Sequence, residues 1–447
     1  MATIIRNAAL VNDGKTIYTD ILIRKERIER IDSSFDVKFK AEEVAADGLF
    51  IIPGIIDAQV HFRDPGLTHK ADIQSESRAA VAGGVTSFID MPNTKPNTLS
   101  IELLEQKYEI AARKSLANFG FLLGVNAENL DYVLQQDTSN LLGVTDDGLY
   151  FSGKGNLLAD NPQVLEKLFS GCSALIAIHS EKEKIIEENE SRFREKYGED
   201  IPVELHPQIR SEEACFLATQ EAVKLAQRYG ARLHILHLST ARETALFDNT
   251  LPLGEKKITT EVSVHHLWFD EKDYARLGKK IKWNPAIKTA ADKEGLFQAL
   301  LDDKIDIVTT DHAPHTWEEK NRPYFQSMSG APIIQHSLNI MLSFYHAGKI
   351  SLEKIVGKMC HSPAVLYRLK DRGFAYEGYY ADLAMIDLSR IWKVTAENTF
   401  YKCGWSPLEG ETFTGKVVKT LVNGHLVYNN GTFFEIPVGK PLRPVGN

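Results

Sequence analysis

Four cysteines in 447 residues are too few and too scattered for a disulfide scaffold. Cys172, Cys215, Cys360 and Cys403 form no C-x-x-C pair, which argues against a zinc ribbon and leaves free thiols in a reducing compartment as the expectation. No apolar run approaches the roughly 20 residues of a membrane-crossing helix. The first residues, Met1-Ala-Thr-Ile-Ile-Arg-Asn7, lack the apolar core of a secretion signal, so a cytoplasmic protein without membrane contact is expected. Positive charge is also in short supply. A net charge of −8 at 25% charged residues offers no footprint for nucleic acid. It would weakly repel an anionic substrate, which would then need a local Arg or Lys. There is no internal repeat and no low-complexity stretch.

What is present is a hydrophobic content of 43%, ample for a large core. Up to about Ala45 apolar and polar residues alternate in short runs such as Asp20-Ile-Leu-Ile-Arg24, with a turn signal at Asn12-Asp13-Gly14. The same style returns in Tyr380–Asp387, Val417–Gly424 and Leu426–Gly431. The two ends are therefore expected to pair as one small β-sandwich built from residues 1–50 and 370–447. Between them, strand-like runs alternate with helical patterns over residues 51–369. The runs are Ile52–Phe62, Val85–Met91, Phe119–Val125, Leu141–Thr145, Ala174–His179, Arg232–Leu238, Ile258–Val264 and Ile305–Thr310, with helices such as Asp72–Ala82 and Ser211–Tyr229 in between. Eight such units predict a (β/α)8 barrel of the α/β class, with its chemistry at the C-terminal ends of the strands. The charge-dense run Glu181–Asp200 reads as a solvated helix inserted in a loop.

Polar residues cluster after these runs and not before them. In order they are Gln59 and His61, Asn93, Asp147, His179, His237, His265-His266 and Asp311. A lone histidine at a strand end is more often structural than a ligand. Three of them with two carboxylates on one side of a barrel suit a zinc-class site with one position left for water. The sharpest local signal is Thr309-Thr-Asp-His-Ala-Pro-His315. There Asp311 could take a proton from water and pass it to a leaving nitrogen, or simply cap the next helix.

Several strings together resemble dihydroorotases of the amidohydrolase superfamily. They are Val60-His-Phe-Arg-Asp-Pro-Gly-Leu-Thr-His-Lys-Ala-Asp-Ile73, Ala79–Thr86, Met91-Pro-Asn-Thr94, Leu233–Thr240, Trp283-Asn-Pro-Ala286 and Thr310–His315, in family order from about residue 50 to 365. The resemblance implies reversible hydrolysis of the cyclic amide of dihydroorotate to N-carbamoyl-aspartate, a pyrimidine-synthesis step. It implies that His61, Asp147, His179, His237 and Asp311 hold zinc. Arg63, Asn93 and His315 would grip the substrate carboxylate, and Asn284 would touch the ring. A guanidinium offers a carboxylate a planar fork.

Two departures modify the expectation. Where many relatives carry a carboxylated lysine bridging two metals, this chain has Asp147, a bridging or terminal carboxylate or a turn-forming Asp beside Gly148. Where the family begins its site with His-x-His, this chain has Gln59-Val60-His61, and a neutral amide oxygen is a poor zinc ligand. One firmly bound Zn2+ and a second that is weak or absent are expected. Two rivals remain. One is a hydantoinase or dihydropyrimidinase, whose substrates lack the ring carboxylate. The other is a non-catalytic homologue kept as an assembly partner, for example of aspartate transcarbamoylase. A homo-oligomer acting on a small anionic substrate completes the expectation.

Overall fold

The computed structural model describes residues 2–138, 140–149, 158 and 161–445. The strand Ile55–Val60 is buried at every position, as is Val85–Asp90. Parallel strands covered on both faces read as such continuous apolar runs. These two and Asn118–Phe121 form one parallel sheet. Leu123–Gly124, Val144–Thr145, Ile176–Ile178, Leu233–Ile235, Ile258–Ser263 and Ile307–Thr309 form a second. A parallel bridge between Val60 and His312 joins the last strand to the first, and Leu122 N donates to Asp90 O at the other seam. The eight expected runs are thus the barrel strands. The third is broken at Leu122, and the fourth is only Val144–Thr145.

Helices begin where the sequence supplies caps. Asp72 accepts from Ser75 N at 2.8 Å and opens Ile73–Ala82 with a reciprocal capping box. Ser211 caps Glu212–Tyr229, which carries Glu212 and Glu213 in its first turn and ends at Gly230 in the left-handed region. Its buried positions, among them Ala214, Ala218, Ala222 and Ala226, recur every fourth residue and face the barrel.

The two ends of the chain share a single nine-stranded sheet. Its seam is Phe50–Pro53, antiparallel to the start of Leu383–Lys393 and parallel to Ala9–Leu10. Immediately afterwards the chain enters the barrel through Gly54. A Cβ on Gly54 would lie 1.9 Å from Thr86 Oγ1, so only glycine permits the crossing. That crossing delivers Gln59, His61 and Arg63 to the barrel mouth. Among the described residues no helix is long and apolar enough to cross a membrane.

The charged run after residue 180 forms the helix Glu183–Tyr197, in which only Ile186 and Phe193 are buried, as a solvated helix should be. Glu181 departs from that expectation: it is wholly buried against His179.

Candidate metal and active site

Asp147 stands at the centre. Its Oδ1 lies 3.5 Å from His179 Nδ1 and 3.9 Å from His237 Nε2, and those two nitrogens are 3.0 Å apart. Its Oδ2 lies 3.3 Å from His61 Nε2 and accepts from Gln59 Nε2 at 3.2 Å. His61 Nε2 is also 3.0 Å from Asp311 Oδ1. All six side chains are buried. The five residues expected to hold metal therefore meet, from five different strand ends, around one carboxylate. Asp147, His179 and His237 form the tightest group of possible ligands among the described residues.

The donor chemistry fits a divalent cation. Tetrahedral bonds of about 2.0–2.1 Å put neighbouring ligand atoms about 3.3 Å apart, close to the spacings around Asp147 Oδ1. The tautomers are fixed from behind. His61 Nδ1 donates to Asn93 Oδ1 at 2.8 Å, which turns the Nε2 lone pair toward Asp147 and Asp311. His179 Nε2 donates to Glu181 Oε2 at 2.9 Å, which leaves Nδ1 facing His237 and Asp147. Glu181 in turn is paired with Arg210.

With only protons to balance the acids, two imidazoles take up the charge. Burial opposes it, but Asp147 and Asp311 hold His61 up to about 10. Burial likewise opposes charge on His179, which Asp147 and Glu181 hold up to about 9. Asp147 sits well below the usual carboxylate range: burial would raise it, and the three histidines override burial. Asp311 is raised by burial, with His61 pulling the other way. A divalent cation would supply the same positive charge and release those protons.

Gln59 faces the site, but with its donor. Its Nε2 points at Asp147, while Oε1, the only atom that could ligate, is buried without a partner. Such an orphan costs about 1–3 kcal/mol. The Oδ2 side of Asp147 thus has one imidazole where the Oδ1 side has two.

The backbone is bent to present these groups. Arg63, His237 and Asp311 have φ of 67°, 35° and 46°, a region that costs non-glycine residues about 1–3 kcal/mol each. Gly148, at φ 73°, lets Asn93 lie against the turn after Asp147, where a Cβ would come within 2.3 Å of its amide nitrogen.

His61, Arg63, Asn93, Asp147, Trp283, Asn284 and Asp311 line one narrow cavity with Ala313, Ser329 and Gly330, and the space inside it is about 10 Å³, room for about one water. Asn284 brings an unpaired buried Oδ1 to this wall. Arg63 donates through Nε to Pro314 O and through Nη2 to His315 Nε2 at 3.1 Å, so His315 stands directly behind the guanidinium. Asn93 is committed to His61 through its carbonyl. The segment beyond Asp311 is held in place: Lys282 Nζ donates to Tyr324 O and Ser327 O, and Gly330 N to Lys282 O. His265 is stacked on Trp283 at 4.1 Å and His266 donates to Pro285 O, so both act behind the cavity wall.

Residues 50–427 match the amidohydrolase family. The chain belongs to that family. Among curated relatives of this amidohydrolase, the dihydroorotase of Carboxydothermus hydrogenoformans is 32% identical over 94% of this chain and 96% of its own length. That of Methanothermobacter thermautotrophicus is 30% identical over 91% and 89%. The L-hydantoinase (dihydropyrimidinase) structure from Arthrobacter aurescens is similar with a TM-score of 0.89 at 26% identity, covering 99% of both chains. A dihydropyrimidinase from Brevibacillus agri shares the fold at 0.88 and 22%.

Two groups of this amidohydrolase site escaped sequence reasoning. Glu181 was hidden in a charge-rich run, although its spacing two residues after His179 could have suggested a partner for that ring. Asp57 accepts from Thr310 Oγ1 at 2.6 Å and from Gln59 N, tying the first strand to the turn that carries Asp311. Burial pushes its carboxyl up to about 7.

Proposed function

We propose that this amidohydrolase is a zinc-dependent dihydroorotase, interconverting dihydroorotate and N-carbamoyl-aspartate. The observation that carries the reading is that Asp147, His61 and Asp311 line the same narrow cavity as Arg63. Dihydroorotate needs both a metal site at its ring amide and a cation at its carboxylate. The curated relatives named dihydroorotase, similar over nine-tenths of the chain, support it. The nitrogen and oxygen donor set supports zinc. The two imidazoles on Asp147 Oδ1 support one firmly held ion there, and the amide of Gln59 supports a weaker second. The free cysteines suit a reducing cytoplasm.

A bound divalent ion would lower the pKa of water and polarise the amide carbonyl. The chain's own residues do the rest. Arg63 holds the substrate carboxylate with a planar fork. Asn284 offers its unpaired Oδ1 to a ring N–H. Asp311, raised by burial and touching His61, takes the proton from the attacking water and delivers it to the departing ring nitrogen.

The test is conversion of both substrates by zinc-loaded protein, with loss of turnover after chelation and recovery on adding metal back. The fold likeness to hydantoinases favours a second reading, and the assay separates the two. Turnover of 5-substituted hydantoins that survives Arg63→Met, with none of dihydroorotate, would replace the proposal.

A further inference from the structure

A second cavity, of about 260 Å³, lies where the barrel meets the terminal sheet. It shares no residue with the cavity around Asp147. Its walls come from the helix Ser337–His346, from the strands Leu383–Lys393 and Thr412–Val422, and from the segment between those strands. The volume lies just below the about 300–1,000 Å³ of sites for drug-sized ligands, which is the scale of a small metabolite.

Two polar groups of this wall are left open by the protein. The Asn339 side chain is almost fully buried, and its Nδ2 donates to Gly415 O at 2.8 Å. That carbonyl can only accept, so the amide nitrogen faces it and Oδ1 is left for the cavity that Asn339 lines. No described group donates to that oxygen. Lys416 is half-buried, its Nζ 4.8 Å from the centre of the Trp392 ring, and no described acid or carbonyl accepts from it. The adjoining Gln335, by contrast, is committed: it donates to Asn398 O and accepts from Phe400 N. An acid, Glu397, stands exposed at the rim, and Trp392, Phe400 and Tyr428 present aromatic carbon.

The wall thus offers a cation for a carboxylate, an acceptor and an acid for an ammonium, and rings for an apolar body. A simple anion would leave Asn339 Oδ1 and Glu397 unanswered, and a simple cation would leave Lys416. A zwitterion with an apolar body answers all three. We propose that this cavity binds a free α-amino acid with an aromatic side chain. Its carboxylate pairs with Lys416, its ammonium with Asn339 Oδ1 and Glu397, and its ring packs on Trp392, Phe400 and Tyr428. The site stands whatever cyclic amide the Asp147 cavity hydrolyses.

The test is calorimetric titration of the full-length protein with three compounds. They are L-phenylalanine, phenethylamine, which lacks the carboxylate, and 3-phenylpropionate, which lacks the ammonium. L-phenylalanine should fill a single site with a Kd of about 1 mM or tighter, and each truncated analogue should bind about tenfold or more weakly. Lys416→Met should weaken L-phenylalanine about tenfold and leave phenethylamine unchanged, and Lys416→Arg should restore binding. Glu397→Gln, at an exposed position, should cost only about two- to threefold, and only for the compounds that carry an ammonium. Asp147→Ala should bind L-phenylalanine as the wild type does. No saturable heat with L-phenylalanine up to about 10 mM would overturn the proposal. So would equal binding of the three compounds, or binding that survives Lys416→Met and is lost in Asp147→Ala.

Discussion

The two oxygens of Asp147 look onto unequal surroundings. Oδ1 faces two buried imidazoles, one of them held by a Glu181–Arg210 pair. Oδ2 faces one imidazole, a second acid through that imidazole, and the donor end of an amide. In the proposed function the first side keeps the cation and the second handles a proton; His61 and Asp311 lie 3.0 Å apart at the cavity wall. One strand-end residue, Gln59, makes most of this difference: an imidazole there would give both sides two nitrogens.

The largest effect should come from removing the shared element. Asp147→Ala should release metal from both sides and lower turnover by about 1,000-fold or more, read by metal analysis and assay together. Next, the sides should separate by variant. His237→Ala should purify largely without its tight ion, whereas His61→Ala should keep that ion and lose roughly 100-fold in kcat. Equal metal loss in both would abolish the asymmetry. Gln59→His should raise metal content from about one toward about two ions per chain, and an unchanged content would show that the amide is not what weakens the Oδ2 side. Glu181→Gln should weaken metal affinity by about 10–100-fold in chelator competition, because His179 Nε2–H then faces a neutral amide, a weaker acceptor than the carboxylate, and loses basicity at Nδ1.

The smallest effect concerns pH and sets the site against the core. His336 is fully buried, with Nδ1 on Tyr401 and Nε2 unpartnered, and burial pushes its imidazole down to about 3. Between that value and the unfolded value near 6.5 the unfolded chain binds a proton the folded one refuses, so stability is lost as pH is lowered, by about 1.4 kcal/mol per unit. In metal-free protein His61 and His179 have the opposite sign. Their folded pKa values are raised, so their contribution is full below about 6.5 and is lost as pH rises through about 9 to 10. Urea midpoints of chelated protein at pH 4, 5 and 6 should show a flatter acid slope in His336→Gln than in the wild type.

Much of this was readable from local pattern. Asp72 and Ser211 cap the helices that their side-chain chemistry announces, and Pro53-Gly54 marks the entry to the first barrel strand. Gln59, His61, Asp147, His179, His237 and Asp311 end strands because apolar runs stop at them. The break at Leu122 inside Phe119–Val125 was not readable, because an unbroken apolar run carries no sign of where pairing changes partner. Nor was the burial of Glu181, which opens a charge-rich run whose helix, Glu183–Tyr197, buries only Ile186 and Phe193, nor the attachment of Asn93 to His61.

Order along the chain was enough to establish the barrel, the candidate ligands and the odd amide at position 59, because periodicity and residue type are local properties. Distances between strand ends dozens of residues apart are not. They decided that Asp147 lies between two unequal groups and that Asn93 and Glu181 set the faces of the rings. Those relations arise when eight strands close around one axis and bring together side chains that have no neighbourhood in the sequence.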